Sequence, residues 1–256
     1  MRALFVLIIE LASIAAVLAA PSRIVGGSKV SIKHYPMGAA MLFSRGGVGN
    51  FVQTCGGAII NNRAIVSASH CYTGDPAVRW RARVGSTKAH SGGVVHNTAR
   101  IYHHPDFNAF NTDSDVAVLH VTVPFSFNNY VQPAYIAGAY YHLGDNKVVW
   151  AIGWGYTSFW GQPSEHLQHV QIWTVNQTIC VQRYAEIGRV VTDNMLCSGW
   201  LDVGGRDQCQ GDSGGPLLHN NIVVGVSSWG YQCALPRYPG VSTRISQFAK
   251  WIVEHA

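Results

Sequence analysis

Short apolar runs and alternating apolar and polar residues, separated by turn residues, fill the chain from residue 41 to residue 119. Residues 78–84 read VRWRARV, and this period of two predicts a strand with one face in the core and three arginines in water. The alternative interpretation, a basic binding stripe, is less consistent with the alternation. Residues 58–60 and 64–66 are apolar and flank Asn61-Asn62-Arg63, which predicts a hairpin. The pattern therefore indicates β-strands joined by short turns.

The second half of the chain continues this pattern and then changes period. Residues 147–155 and 221–226 are apolar enough for buried strands, and residues 124–135 have the character of a connector. Residues 243–255 instead repeat their apolar positions every three or four residues, which predicts a C-terminal helix that packs on the strands. These positions are Ile245, Phe248, Ile252 and Val253.

The first 19 residues have the pattern of a secretory signal peptide. Arg2 gives a positive start, residues 3–18 form an apolar run, and small residues end the segment at Ala19. Glu10 interrupts the apolar run and argues against a membrane span. We therefore expect residues 1–19 to be a signal peptide and the protein to be secreted.

Charge and cysteine content narrow the class of protein. The net charge of +5 is spread over 256 residues without a basic run, which disfavours binding to nucleic acid or to a membrane surface. Six cysteines in a secreted chain predict three disulfides, although spacing alone leaves about 15 connectivities open. A metal site is disfavoured because the cysteines lack paired Cys-x-x-Cys spacing.

Residues 207–217, DQCQGDSGGPL, carry the clearest chemistry in the chain. Glycine and proline hold such a segment in turns, so Ser213 can present its hydroxyl beside backbone N–H groups. Acyl transfer needs this pairing, because a nucleophile attacks a carbonyl that becomes an oxyanion. A glycine-rich surface loop is the alternative, but the seven residues GDSGGPL are too specific for it. They resemble the active-serine motif of the trypsin/chymotrypsin family of serine proteases.

Two further motifs support this resemblance. Residues 67–71, SASHC, are similar to the family's histidine motif, with serines where alanine and threonine are more usual. Residues 113–119, DSDVAVL, are similar to its aspartate motif. The order His, Asp, Ser is that of this family and differs from subtilisins and α/β-hydrolases. The resemblance extends from Ile24 to the C-terminus and implies a triad of His70, Asp115 and Ser213, with an oxyanion hole formed by the N–H groups of Gly211 and Ser213.

The resemblance also implies the fold. We expect an all-β protein with two packed antiparallel six-stranded β-barrels and a C-terminal helix. The serine protease domain would cover residues 24–256, with the first barrel at about 24–130, the second at about 131–242 and the helix at about 243–255. The implied disulfides are Cys55–Cys71, Cys180–Cys197 and Cys209–Cys233.

Activation by cleavage is a further implication. Residues 20–23 would be an activation peptide, and cleavage after Arg23 would free the α-amino group of Ile24. In this family the new amino group folds inward and pairs with the aspartate beside the active serine, here Asp212. Burial of an amine and a carboxylate is costly unless they meet, so this pair would act as a switch that builds the oxyanion hole. Because the site ends in arginine, the enzyme is a candidate for activating itself.

Substrate specificity is implied by residues around the serine. Asp207 matches the base of the primary pocket of trypsins, while Gly230 and Gly240 match the glycines that leave this pocket open. A carboxylate there favours cleavage after Arg or Lys. Gln208 replaces the serine of vertebrate-type trypsins, which leads us to expect a preference for arginine. Residues 228–230, Ser228, Trp229 and Gly230, are similar to the segment that pairs with the substrate backbone.

Residues 86–93 lie where vertebrate-type trypsins have a calcium loop. No carboxylate occurs between Val84 and Tyr102, so the hard oxygen ligands of calcium are missing. We expect no metal and no cofactor. The expected partners are protein and peptide substrates, protein protease inhibitors are additional candidates, and the enzyme should be a monomer.

Two other classes of function fit the sequence less well. An inactive homologue acting as a binding module should lack a triad residue, whereas all three are present. A clotting-type cascade protease usually carries accessory domains, for which we expect no room. Residues 24–256 contain 11 arginines and five lysines, and arginine keeps its charge in alkaline fluid at which lysine loses it. Together with the missing calcium ligands and the segment Arg206-Asp207-Gln208-Cys209, this bias resembles lepidopteran midgut trypsins. That resemblance implies digestion in the gut lumen.

Overall fold

The computed structural model describes residues 24–256. The predicted signal peptide, residues 1–19, and activation peptide, residues 20–23, lie outside the described residues. Strand β1 (Ser28–Lys29) comes first, and six antiparallel strands then close into a barrel. These strands are β2 (Gly38–Phe43), β3 (Val52–Ile59), β4 (Ala64–Ser67), β5 (Trp80–Val84), β6 (Val94–His103) and β7 (Ala117–Val121).

A second antiparallel barrel follows the short strand β8 (Tyr135–Ile136). Its strands are β9 (Val148–Gly153), β10 (Gln168–Thr174), β11 (Met195–Gly199), β12 (Pro216–His219), β13 (Ile222–Trp229) and β14 (Gly240–Arg244). They close in the order β9-β10-β11-β14-β13-β12. β1 adds to β10, and β8 pairs with β13 in the parallel sense. The two six-stranded barrels that the sequence predicted are confirmed, with β8 as a parallel addition.

Two α-helices accompany the barrels. The predicted C-terminal helix is confirmed as α2 (Ile245–Glu254), whose buried residues Ile245, Phe248 and Ile252 lie on one face. Helix α1 (Gln177–Ala185) was not predicted. Asn176 caps its first turn by accepting a hydrogen bond from the N–H of Ile179 at 3.2 Å. Only Cys180 and Tyr184 of α1 are buried, so its apolar stripe was too short to indicate a helix.

The predicted strand at residues 78–84 begins two residues later than expected, because residues 77–79 form a 3₁₀ turn. Trp80, Ala82 and Val84 are buried, as the alternation predicted. All three arginines are partly exposed, those of the strand on the face opposite the buried residues, and each also contacts another group of the protein. Arg79 donates to a carboxylate oxygen of Asp75 at 2.9 Å, the Arg81 guanidinium lies 3.9 Å from the Phe51 ring centre, and Arg83 donates to two loop carbonyls. The strand face therefore carries paired cations.

The two barrels are joined by shared apolar packing. One cluster fills the first barrel, with Met41, Trp80 and Leu119 among its members. A larger cluster combines residues of the first barrel, such as Val66 and Val118, with Ile152 and other residues of the second. Burial of apolar surface at about 25 cal/mol per Å² makes such a contact strongly stabilising. The cleft between the barrels therefore has a fixed geometry.

Candidate active site

His70 and Asp115 are brought together by two neighbouring strands. His70 lies in the 3₁₀ turn Ser69–Cys71 after β4, and Asp115 lies just before β7, which pairs with β4. The Nδ1 atom of His70 is 2.7 Å from Oδ2 of Asp115, and the backbone N–H of His70 donates to Oδ1 at 2.8 Å. A proton on Nδ1 satisfies this contact and leaves Nε2 as the basic nitrogen. The histidine is thus fixed in both orientation and tautomer.

Asp115 is fully buried and is also held by the second barrel. The hydroxyl of Ser228 donates to its Oδ2 atom at 2.5 Å, and the hydroxyl of Thr243 donates to its backbone carbonyl at 2.6 Å. A buried carboxylate is stabilised by such donors and destabilised without them. The sequence assigned Ser228 to the substrate backbone and did not indicate its contact with Asp115. Through that hydrogen bond, Asp115 links the first barrel to the second.

Ser213 lies in a tight loop packed against the first barrel. Its carbonyl accepts from the N–H of Gly56 at 2.7 Å, and the N–H of Gly214 donates to Ser227 at 2.7 Å. Gly214 has a φ of +79°, and a Cβ atom there would lie 2.2 Å from the hydroxyl oxygen of Ser67. No other residue fits this position without displacing the loop. His70 and Ser213 border two cavities that share Ser228 and Trp229.

The cavity beside Ser213 has a volume of about 220 Å³. Asp207 lines it and is 3% exposed. Its two carboxylate oxygens accept hydrogen bonds of 2.9 Å from the backbone N–H groups of Gln208 and Ala234. Burial nevertheless raises the pKa of Asp207 to about 7. A cationic group that entered this cavity would compensate the buried charge.

Gly240 and Gln208 shape the same cavity. A Cβ atom at Gly240 would lie 2.6 Å from Oδ1 of Asp207, so a side chain there would close off the carboxylate. Gln208 lines the cavity next to Asp207. Its side-chain amide is directed to the hydroxyl of Ser242, at 3.4 Å. Trp229 and Gly230 complete the wall of this cavity.

Comparison with known proteins agrees with this geometry. Residues 24–252 match the sequence profile of the Trypsin family. The chain belongs to the trypsin family. The protease is 60% identical to "Trypsin, alkaline B" of Manduca sexta over 97% of both chains. It is 59% identical to "Trypsin CFT-1" of Choristoneura fumiferana over 96% of each chain, and 38% identical to "Trypsin" of Phaedon cochleariae over 91% and 88%. It is a trypsin-like serine endopeptidase that acts on protein substrates.

The disulfides of the protease join the pairs that the resemblance implied: Cys55–Cys71, Cys180–Cys197 and Cys209–Cys233. The first ties β3 to the histidine turn. The third connects the serine loop to the segment after Trp229. Each loop of this size removes unfolded-state entropy worth about 3 kcal/mol in the chain-entropy model. Two of the three therefore stiffen the walls of the cleft.

Asp212, next to Ser213, is buried and turned away from the cavity. Its carboxylate oxygens accept from the N–H groups of Gly155 at 2.8 Å and Cys209 at 2.9 Å. Burial raises the pKa of Asp212 to about 7. Ile24 is fully buried in the larger apolar cluster. Arg23, at which cleavage was predicted, lies outside the described residues.

The segment at residues 86–93 is held by protein groups of the protease. The hydroxyl of Ser86 donates to the carbonyl of Ser91 at 2.6 Å, and the Thr87 carbonyl accepts from the indole of Trp154 at 3.0 Å. One carboxylate approaches from the second barrel, because Glu165 places Oε2 2.7 Å from Nδ1 of His90. Among residues 24–256, no three His, Cys, Asp or Glu side chains are grouped to hold a metal ion. In the same part of the chain, no helix is long and apolar enough to cross a bilayer.

Proposed function

We propose that the protease cleaves peptide bonds after arginine and lysine, with arginine preferred, by a triad of His70, Asp115 and Ser213. The observation that carries this proposal is the buried carboxylate of Asp207 in a cavity that Ser213 also lines. The cation of a substrate side chain would neutralise Asp207 and so place the following peptide bond at Ser213. An apolar side chain would leave the carboxylate unpaired.

The chemistry follows from the tautomer of His70. Nε2 takes the proton of Ser213 as its oxygen bonds to the carbonyl carbon, and the carbonyl electrons move to oxygen. The backbone N–H groups of Gly211 and Ser213 stabilise this oxyanion. His70 then passes the proton to the leaving amine, and Asp115 stabilises the histidine while it is charged. Water repeats the sequence on the acyl-enzyme.

Substrate backbone binding is assigned to the end of β13. Ser228, Trp229 and Gly230 border the cavity that Ser213 lines, and Ser228 and Trp229 also border the cavity beside His70. An extended peptide laid along this segment would add a strand and exchange backbone hydrogen bonds. Side chains of the peptide would then point alternately toward the cavity and away from it, which presents one arginine at a time to Asp207.

We further propose that residues 1–19 direct secretion, that residues 20–23 keep the protease inactive, and that the mature domain begins at Ile24. The amino group of Ile24 would pair with Asp212 after cleavage. Digestion in alkaline fluid is supported by the excess of arginine over lysine and by the names of relatives from Manduca sexta, "Trypsin, alkaline A" and "Trypsin, alkaline B". Protein protease inhibitors are proposed as additional partners, and the protease is proposed to act as a monomer.

The proposed function is tested with Ser213→Ala. The kcat for a peptide with arginine immediately before the scissile bond should fall about 10⁶-fold. An aryl amidine should still bind in the Asp207 cavity. Ser126→Ala is the matched control, because Ser126 is exposed and lies outside the site. Near wild-type turnover by Ser213→Ala would refute the triad.

A further inference from the structure

Gln53 contacts the loop that carries the proposed oxyanion hole, although it lies on the other barrel. It belongs to β3, and its side-chain amide donates to the carbonyl of Gly211 at 2.8 Å and to the carbonyl of Cys55 at 3.0 Å. Both amide hydrogens are therefore used. No motif in the sequence indicates this contact, because residues 53 and 211 are 158 positions apart.

The contact fixes one of the two peptide planes that meet at Gly211. The N–H proposed to bind the oxyanion belongs to the preceding plane, whose carbonyl, that of Gln210, accepts from the N–H of Tyr156 at 2.7 Å. The following plane contains the Gly211 carbonyl, and Gln53 holds it. Gly211 has a φ of +88° and as a glycine rotates easily. Pinning both planes keeps its N–H directed to one point.

Gln53 is itself held in place by His90, which in turn contacts Glu165 of the second barrel. The backbone N–H of Gln53 donates to Nε2 of His90 at 3.2 Å. Nδ1 of the same ring faces Oε2 of Glu165 at 2.7 Å. One neutral tautomer, with its proton on Nδ1, satisfies both contacts. The chain of contacts thus runs from Glu165 through His90 and Gln53 to Gly211.

We propose that Gln53 is a positioning residue for the reaction, whose amide keeps the Gly211 N–H aimed at the developing oxyanion. The proposal rests on the proposed function, because the N–H of Gly211 is important only if Ser213 attacks a substrate carbonyl next to it. Preorganised donors stabilise a transition state because they need no reorientation during the reaction. Loss of the Gln53 amide should therefore slow the reaction and leave substrate binding nearly unchanged.

The test compares Gln53→Met, which keeps the length of the side chain, with Gln53→Glu, which places a carboxylate against two carbonyl oxygens. Gln132→Met is the matched control, since the Gln132 amide also donates to a backbone carbonyl, that of Asn128 at 2.9 Å, outside the site. Two ligands separate the effects. A peptide aldehyde ending in arginine accepts the Ser213 oxygen at its carbonyl carbon and forms an oxyanion, whereas an aryl amidine fills only the Asp207 cavity.

We expect Gln53→Met to lower kcat about tenfold to thirtyfold, less than complete loss of an oxyanion-hole donor, with KM changed less than twofold. Aldehyde affinity should fall by a similar factor, and amidine affinity should match wild type. Gln53→Glu should show a larger loss of the same kind. Equal losses of aldehyde and amidine binding, or unchanged kcat, would overturn the positioning role. Activity of Ser213→Ala would instead refute the proposed function, so the two failures are distinguishable.

Discussion

Burial of Asp207 makes the binding of cations to the protease depend on pH. The pKa of this carboxyl is raised to about 7, so below pH 7 a ligand must first displace its proton. In the free protein, the raised pKa contributes stability that is present below the unfolded pKa and is lost as pH rises through about 7. Both effects have one cause, the cost of a charge away from water. An alkaline medium therefore favours the ligand-ready form.

We predict that an aryl amidine binds about tenfold more tightly for each pH unit between 5 and 7, and that its affinity levels off above 7. The dissociation constant is measured from pH 5 to 9. Asp207→Asn should bind weakly at every pH. His70→Ala, which removes the imidazole from the cleft, should keep the wild-type profile. A dissociation constant that stays flat below pH 7 would contradict this prediction.

Gln208 should set the preference between the two basic side chains. Its amide, directed to Ser242, occupies space beside Asp207. A guanidinium reaches farther than an ammonium and binds a carboxylate with two hydrogen bonds, whereas lysine needs a small hydroxyl or a water to complete its contacts. Gln208→Ser should narrow the ratio of kcat/KM for arginine over lysine, chiefly by improving lysine substrates. Equal or faster cleavage after lysine by the wild-type protease would count against this role.

The sequence predicted site residues that belong to short motifs, but it did not predict the contacts that other residues make with them. The sequence singles out His70 because it lies in a short motif, and Asp207 because it lies at a fixed offset from one. The Ala234 N–H on Asp207 and the Gln53 amide on Gly211 come from residues distant in sequence. Backbone donors carry no residue signature, and a glutamine on a strand resembles any surface glutamine. Such contacts are visible only after the chain has folded.

At the scale of secondary-structure elements, the period of apolar residues predicted the strands and helices that have a wide apolar face. The hairpin of β3 and β4 and the helix α2 have one. Helix α1 has two buried residues, and a cap and a disulfide hold it instead. β8 has two residues and pairs in parallel, which is too short for any period to appear. The sequence pattern therefore did not predict the elements that are held mainly by tertiary contacts.

The segment at residues 86–93 should keep its structure without calcium. The sequence offers no carboxylate ligands for calcium in this segment. Hydrogen bonds within the segment and the contact of His90 with Glu165 hold it instead. We predict that EDTA changes neither activity nor Tm. Glu165→Gln should lower stability by about 0.2–1 kcal/mol, as for other exposed pairs. The measurement is thermal unfolding with and without EDTA. Loss of activity that added calcium reverses would contradict this interpretation of the loop.

At the scale of the whole molecule, activation should be a change in the pairing of a buried charge. Although two backbone N–H groups donate to Asp212, burial raises its pKa to about 7. The α-amino group of Ile24 would supply that partner, and pairing would raise the pKa of the amine above about 8. The stabilisation would be present below pH 8 and lost as pH rises through the raised pKa of the amine.

We therefore predict that Arg23→Gln, which blocks cleavage, yields a folded precursor with activity reduced by at least about 10³. One donor of the oxyanion hole alone is worth about 10²–10³, and the cavity around Asp207 should also be disturbed. Peptide hydrolysis is measured before and after treatment with an arginine-specific protease, with the wild-type precursor as control. A fully active Arg23→Gln precursor would show that no switch exists at this bond.

The pairing of surface arginines has a consequence for how long the protease survives its own activity. Under the proposed specificity, a bond after arginine is cut only when the arginine side chain can leave its partners and enter the Asp207 cavity of another molecule. Arg79 is bound to Asp75, and Arg237 is held by Glu186 through two hydrogen bonds. Arg45 instead lies exposed in a glycine-rich loop between β2 and β3. Cleavage after Arg45, seen by mass spectrometry as a new N-terminus at Gly46, should therefore precede cleavage after Arg79 or Arg237. Arg45→Gln should lengthen the active lifetime, whereas Asp75→Asn, which releases Arg79 from its partner, should shorten it.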